Sequence, residues 1–228
     1  MAQPLVSIVI ATRERPELLR RAIRSILHQS LREIEIIVVD DGSSKSVLES
    51  YTDGSAVDDP RVSYHPASEA AYPVRGACAA RNYGLSLVRS RYFVFFDDDD
   101  EMIVDDHLET ALRFYREYPD SLYFADIRMV NDGRVVLEGR LRATDKPMLS
   151  ERISANPPVY RVSLKQFAAV VAHRWPHPNV VVYEAEKARS LGGLTDGLQP
   201  AEDLNFCLRY IDRASSVIYR RESVAIST

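Results

Sequence analysis

The chain has 228 residues, 46% of them hydrophobic, 27% charged and 9% aromatic, a composition of globular proteins that excludes disordered, collagen-like and coiled-coil chains. Its length suits one domain, residues 1–228, around one substantial core. A net charge of -4 lacks the basic excess that binding to nucleic-acid phosphates requires, so no nucleic-acid partner is expected.

Arginine outnumbers lysine 25 to 4, which suits forked contacts to carboxylates or phosphates. No apolar stretch approaches the roughly 18 residues of a membrane span. The opening MAQPLVSIVIATRER has neither the basic lead nor the cleavage site of a signal peptide, so the expected location is cytoplasmic. Cys78 and Cys207 fall at apolar positions of predicted helices and read as buried thiols.

Val6 to Ala11 is a near-continuous β-branched run, the pattern of a strand covered on both faces of a parallel sheet. Pro16 then opens a helix with Leu18, Leu19, Ala22, Ile23, Ile26 and Leu27 on one stripe. Glu35 to Val39 is a second strand that runs into Asp40, Asp41, Gly42 and Ser43, completing a βαβ unit whose crossover should be right-handed. A short helix near Val47 to Tyr51, a brief strand at Val62 to His65 and a helix from Gly76 to Val88 follow. Tyr92 to Phe96 is a further strand, and it discharges into Asp97, Asp98, Asp99 and Asp100.

Leu108, Ala111, Leu112 and Tyr115 mark a helix, and Leu122 to Val136 a hairpin turning at Asp132 and Gly133, where the pattern becomes antiparallel. Glu138 to Tyr160, with three prolines, reads as irregular loop. The last third predicts a helix from Ser163 to Ala172, a strand at Val180 to Tyr183 and a helix stopped by Gly192 and Gly193. Pro200 starts a final helix with Leu204, Cys207, Leu208 and Ile211 facing inward and Glu202 and Asp203 in its first turn.

Ligands of open parallel sheets gather beyond the carboxyl ends of the strands, where the DDGS and DDDD clusters fall. Four consecutive aspartates after a buried strand repel one another unless a cation or hydrogen-bond donors compensate, and oxygen ligands favour magnesium, manganese or calcium. Taken singly, each acid also has a plain role. Asp40 and Asp41 suit a DG turn, and Glu202 and Asp203 complement a helix dipole. His28, His65, His107, His173 and His177 show no metal-ligand spacing and receive no site role.

VSIVIATRERPELLRRAIRSILHQSLREIEIIVVDDGS, GACAARNYGL, FFDDDD and GGLTDGLQPAEDLNFCLRY together resemble, in order, the motifs of the family 2 glycosyltransferases, which are inverting enzymes. The resemblance implies the GT-A fold: α/β, Rossmann-like, a mostly parallel central sheet flanked by helices with a small antiparallel part in the second half. It also implies a nucleotide-binding half over 1–100 and an acceptor-binding half over 101–228.

By the same resemblance, Thr12, Arg13, Asp40 and Asp41 hold base and ribose, Asp41 being the stronger base contact, and Arg81 and Asn82 lie along the nucleotide. Asp97 to Asp99 match the DxD motif, with Asp97 and Asp98 near the nucleotide sugar and Asp99 with Asp97 on a divalent metal, Mg2+ or Mn2+. The four-aspartate run leaves that register open by one residue, to Asp98 and Asp100.

Asp203 falls on the catalytic base, with Glu202 beside it. Such a carboxylate would take the proton of an acceptor hydroxyl as it attacks the anomeric carbon, while the metal neutralises the departing diphosphate. The implied donor is a nucleotide-diphosphate sugar, UDP by default, and the acceptor a glycan, a lipid-linked sugar or a small molecule. Peripheral membrane association and a homodimer are both compatible with this reading.

There is no QxxRW motif, which favours a single transfer over processive synthesis, and Leu194 and Thr195 replace the usual aromatic segment before Asp196. The chain is short for the family, so a C-terminal acceptor-binding or membrane-associating part is expected to be absent or truncated. Loops 140–160 and 174–179 are expected to set specificity. Two alternatives stand beside this reading: a haloacid-dehalogenase-like phosphohydrolase using Asp97 and Asp99, and a non-catalytic nucleotide-sugar binder. No GxGxxG follows the first strand, which disfavours a dinucleotide enzyme.

Overall fold

The computed structural model describes residues 3–51, 57–69, 75–142, 144–171, 174–198 and 201–228; His173, Ala172 and Pro200 lie outside them. In chain order the elements are β1 (Val6–Thr12), α1 (Pro16–Leu27), β2 (Ile34–Asp40), α2 (Lys45–Ser50), β3 (Val62–Pro66), α3 (Ala77–Leu87), β4 (Tyr92–Asp97), β5 (Glu101–Met102) and α4 (His107–Glu117). They continue with β6 (Ser121–Asn131), β7 (Arg134–Glu138), β8 (Glu151–Ser154), β9 (Val159–Val162), α5 (Leu164–Val171), β10 (Val181–Glu184), α6 (Ala185–Ser190), α7 (Glu202–Ile211) and β11 (Ser216–Ser227).

The strands form an 11-stranded sheet of order β3-β2-β1-β4-β10-β6-β11-β9-β8, with β5 paired to β11 and β7 to β6. The first four strands pair in parallel. β10 joins β4 and β6 antiparallel, while β11 runs parallel to β6. The α/β reading with a mostly parallel centre and an antiparallel second half therefore holds.

Alternation along the buried strands divides the core between the two faces of the sheet. Ile8 and Ile10 of β1 turn toward Leu19, Ala22, Ile23 and Ile26 of α1 and toward α4, whereas Val9 turns toward α3, α6 and α7. The buried residues of α1 recur at helical spacing, as its stripe predicts. Gly84 of α3 allows close approach on the other face, because a Cβ there would come within 2.3 Å of Val9 Cγ1. Cys78 and Cys207 are buried free thiols, and burial pushes Cys207 up to about 12.

Three expectations are corrected. Within the stretch read as irregular, β8 and β9 pair as an antiparallel hairpin. Each strand has only four residues, and the prolines sit between them at 157 and 158. The face of α7 is rotated: Phe206, Cys207, Tyr210 and Ile211 are buried while Leu208 is 40% exposed. The rotation brings Phe206, tilted, and Tyr210, edge-on, against Tyr183, with centroids 5.0 Å away in both cases, and aromatic contacts outweigh an exposed leucine. Finally, β11 is a 12-residue strand that sequence reading passed over.

Candidate functional site

Parallel register brings the carboxyl ends of β1, β2 and β4 into line, pairing Thr12 with Asp40 and Ala11 with Asp97. Beyond these ends lies a cavity of about 350 Å³ lined by Thr12, Arg13, Arg15, Asp41, Arg81 and Asp97 to Asp99, with Ala11 and Ala77. Six of the predicted nucleotide contacts thus share one pocket, together with the predicted metal ligand Asp99.

The aspartate run keeps the alternation of the strand it follows. Asp98 and Asp100 are buried while Asp97 and Asp99 are partly open. Thr12 Oγ1 donates to Asp98 Oδ2 at 2.7 Å, and Arg15 Nη1 reaches Asp98 at 3.2 Å and Asp99 at 3.0 Å. Burial raises the Asp98 carboxyl above its ordinary range, against the pull of Thr12 and Arg15. Arg81 Nη2 donates to Asp97 at 2.6 Å. Burial works against the guanidinium, yet Asp97, Glu202 and Asp203 raise its pKa. Both oxygens of Asp41 accept the Gly76 main-chain N–H at 2.9 Å.

Two predicted contacts are committed elsewhere. Asp40 is 2% exposed. It caps the turn by accepting from the main-chain N–H groups of Gly42 (3.0 Å) and Ser43 (2.7 Å), and it also accepts from the Tyr51 hydroxyl at 3.0 Å. Asn82 donates to the Leu194 carbonyl at 2.9 Å and accepts from its N–H at 2.8 Å, outside the cavity.

The second half of the chain reaches the same edge through side chains. Asn179, fully buried, accepts from Asp97 N–H at 3.1 Å and donates to Asp100 at 2.5 Å. His177 Nε2 stands 3.8 Å from Asp97 Oδ2, and burial lowers its pKa. The main-chain N–H of Thr228, just past β11, donates to Asp100 at 3.1 Å. Trp175 Nε1 donates to Asp203 Oδ2 at 3.1 Å. Asp203 lies outside the lining of the cavity, but its charge acts on Arg81 and His177 at the rim. Glu202, at the start of α7, is buried with Oε2 unpartnered among the described residues.

Asp97, Asp100 and His177 offer ligand atoms within 4.8 Å of one another. Burial first, and the charge of Asp97 second, push Asp100 up to about 7. A buried carboxyl crowded by a partly open one beside an imidazole fits a divalent cation, which would relieve that cost. Asp99, the other predicted ligand, faces the cavity and Arg15 instead. Sequence reading missed His177 and Asn179, and the only signal was a polar HPN triplet inside an expected specificity loop.

A larger cavity, about 750 Å³, opens at the opposite ends of β2 and β3. Two of its acids are already paired, Glu35 with Ser7 and Arg89 and Asp59 with Arg61, and none of the acids at the carboxyl ends of β1, β2 or β4 lines it.

No helix among the described residues is long and apolar enough to cross a membrane. The putative colanic acid biosynthesis glycosyl transferase WcaA of Escherichia coli is 40% identical over 100 residues, 43% of this chain and 33% of its own length. The GalNAc(5)-diNAcBac-PP-undecaprenol beta-1,3-glucosyltransferase of Campylobacter jejuni is 36% identical over 103 residues, 44% of this chain and 31% of its own. The matches thus take in about a third of these relatives.

Among solved structures, S. aureus TarS 1-349 superposes with a TM-score of 0.72 over 98% of this chain and 60% of its own, at 17% identity. The mannosyltransferase PcManGT of Pyrobaculum calidifontis, solved with GDP-Man and Mn2+, gives 0.66 over 100% and 57% at 15% identity. At such identities the likeness is one of fold. The sequence profile described as Glycosyl transferase family 2 matches residues 7–174, most of the chain and three of its four motifs, so the chain belongs to glycosyl transferase family 2.

Proposed function

We propose that this chain transfers a sugar from a nucleotide-diphosphate donor, a UDP-sugar by preference, to an acceptor hydroxyl in one inverting displacement, with Asp203 as the base. The observation that carries the reading is the convergence on one edge of the sheet of the Asp41 to Asp99 cavity, the Asp97–Asp100–His177 cluster and Asp203. TarS is also solved with UDP and with UDP-GlcNAc, which favours that donor.

Thr12, Arg13 and Asp41 would hold the nucleoside, with Arg15 and Arg81 beside the acids at the phosphates. Asp97 with Asp99, or with Asp100 and His177, would hold Mg2+ or Mn2+, whose charge would offset that of the diphosphate. Asp203 accepts the acceptor's proton as the new carbon–oxygen bond forms, the bond to the diphosphate breaks, and the nucleoside diphosphate departs with the electron pair. Trp175 orients the carboxylate through Oδ2. The phosphohydrolase alternative finds no support in the family match, and its nucleophile, Asp97, is held in an ion pair by Arg81.

Calorimetric titration of the chain with UDP, GDP and dTDP in the presence of Mn2+ tests the reading. Saturable binding of UDP is expected; absence of binding by all three nucleotides would overturn it.

A further inference from the structure

The guanidinium of Arg140 lies 5.0 Å above the ring of Trp175, the residue whose indole N–H holds Asp203. Stacking grips a guanidinium by its face and leaves the N–H donors along its edge free for a forked contact with a planar anion. Among the described residues no carboxylate lies within ion-pair distance of that edge, although Arg140 is half-buried. Arg174 donates Nη1 to the Arg140 carbonyl at 3.2 Å, and it too has no ion pair among the described residues. The charges of Arg174 and of Asp203, whose lone pairs the proposed reaction needs for a proton, both act on the Arg140 guanidinium.

The segment is built to stay there. Gly139 takes φ +85° with its Cα against Asp126 and Arg142. Arg140 N–H donates to the Ile127 carbonyl at 3.0 Å, and Leu141 N–H to the buried Asp126 at 3.1 Å. A half-buried cation so fixed, with its neighbour of like charge, is costly unless an anion joins it.

We infer that Arg140, with Arg174 beside it, binds a negatively charged group of the acceptor, a phosphate or a carboxylate, next to the hydroxyl that Asp203 deprotonates. This rests on the reading of Asp203 as the base of a glycosyl transfer. The donor diphosphate is the other source of such an anion. Arg140 is absent from the lining of the strand-end cavity, where Arg13, Arg15 and Arg81 already stand.

Trp175 is the chain's single tryptophan, so its fluorescence reports on this place alone. With UDP and Mg2+ saturating and ionic strength held constant, the protein is titrated with inorganic phosphate, methyl β-glucuronide and methyl β-glucoside. A saturable change with phosphate or the glucuronide and none with the neutral glucoside is expected. Arg140→Gln should weaken anion binding at least tenfold and leave the calorimetric affinity for UDP within twofold, and Arg140→Lys should fall between.

Saturation by the glucoside equal to that by the anions, no saturation by either anion, or unchanged anion affinity in Arg140→Gln would each overturn the inference. A tenfold loss of UDP affinity in Arg140→Gln would assign the guanidinium to the donor and overturn it as well. If that variant does not fold, Arg140→Lys and the contrast between glucuronide and glucoside in the unaltered protein decide. Failure of the unaltered protein to bind UDP strikes the donor reading by itself, because the anion titrations can be run without nucleotide and still decide the role of Arg140.

Discussion

In the first hundred residues nearly every candidate group stands at the carboxyl end of a parallel strand: Thr12 and Arg13 after β1, Asp41 after β2, Asp97 to Asp99 after β4. Beyond residue 100 the groups arrive from loops and helix starts, Arg140 after β7, His177 and Asn179 before β10, Asp203 in the first turn of α7. Parallel register turns a local pattern, a buried strand followed by acids, into convergence in space without further contacts. The later groups depend besides on side-chain bonds across long separations, Trp175 to Asp203 and Asn179 to Asp97 and Asp100. The strand-end group is thus a property of the sheet, and the later group a property of a network. Single substitutions should therefore act differently in the two.

The largest effect is expected at Asp203. Asp203→Asn keeps the shape and an acceptor for the Trp175 N–H but cannot take a proton, so turnover should fall roughly 10³-fold, within the range for a lost general base. UDP affinity, on the proposal that the strand-end cavity sets it, should hold. Turnover equal to that of the unaltered chain would remove Asp203 from the chemistry and leave only its structural bond to Trp175.

The next effect probes the joint between the two regions. Asp100 is 2% exposed and its carboxyl is pushed up to about 7. A carboxyl whose pKa rises on folding binds its proton more tightly in the native state than in the unfolded one. Stability of the metal-free protein therefore falls as pH rises from near the ordinary value of 3.8 through about 7, and stays low above that. The difference in Tm between the unaltered chain and Asp100→Asn, followed from pH 5 to 8 without metal, should grow in favour of the variant. Mn2+ should cancel that advantage in the unaltered chain at the alkaline end. A difference independent of pH would mean that Asp100 is charged throughout and is compensated by Asn179 and Thr228 alone.

How much could be read from the sequence follows the same division. β1, β2, β4, α1 and α4 are long or strongly periodic, and acids follow β2 and β4 directly, so the elements and the place where those acids gather were legible. β11 was not. Arg220, Arg221 and Glu222 interrupt its apolar run, and only the fold supplies Asp106, which with the neighbouring Glu222 allows Arg220 to be buried. β8 and β9 are too short for a period to register. The face of α7 was misread because its leucines and its aromatic residues offer competing stripes, and the position of Tyr183 decides between them. His177 shows no ligand spacing because its partner Asp97 is 80 positions away in sequence, reached only when β10 docks antiparallel on β4.

The smallest effect is expected at Asn82, where the motif resemblance and the structure point in different directions. By resemblance, Asn82 lies along the nucleotide. In the fold both ends of its amide are spent on the N–H and carbonyl of Leu194, 112 positions on, and the bare Cα of Gly193 makes room for it, since a Cβ there would come within 2.4 Å of Asn82 Oδ1. Leu194 is 4% exposed, so removing the amide leaves two backbone groups with little access to water. Asn82→Ala should then cost ~1–3 kcal/mol, a fall in Tm of a few degrees at ~2–4 °C per kcal/mol for a chain of this size, with UDP affinity unchanged. The opposite pair of results, an unaltered Tm with a tenfold loss of UDP affinity, would make Asn82 a donor contact and move α3 from the network that stitches the two regions together to the edge that binds nucleotide.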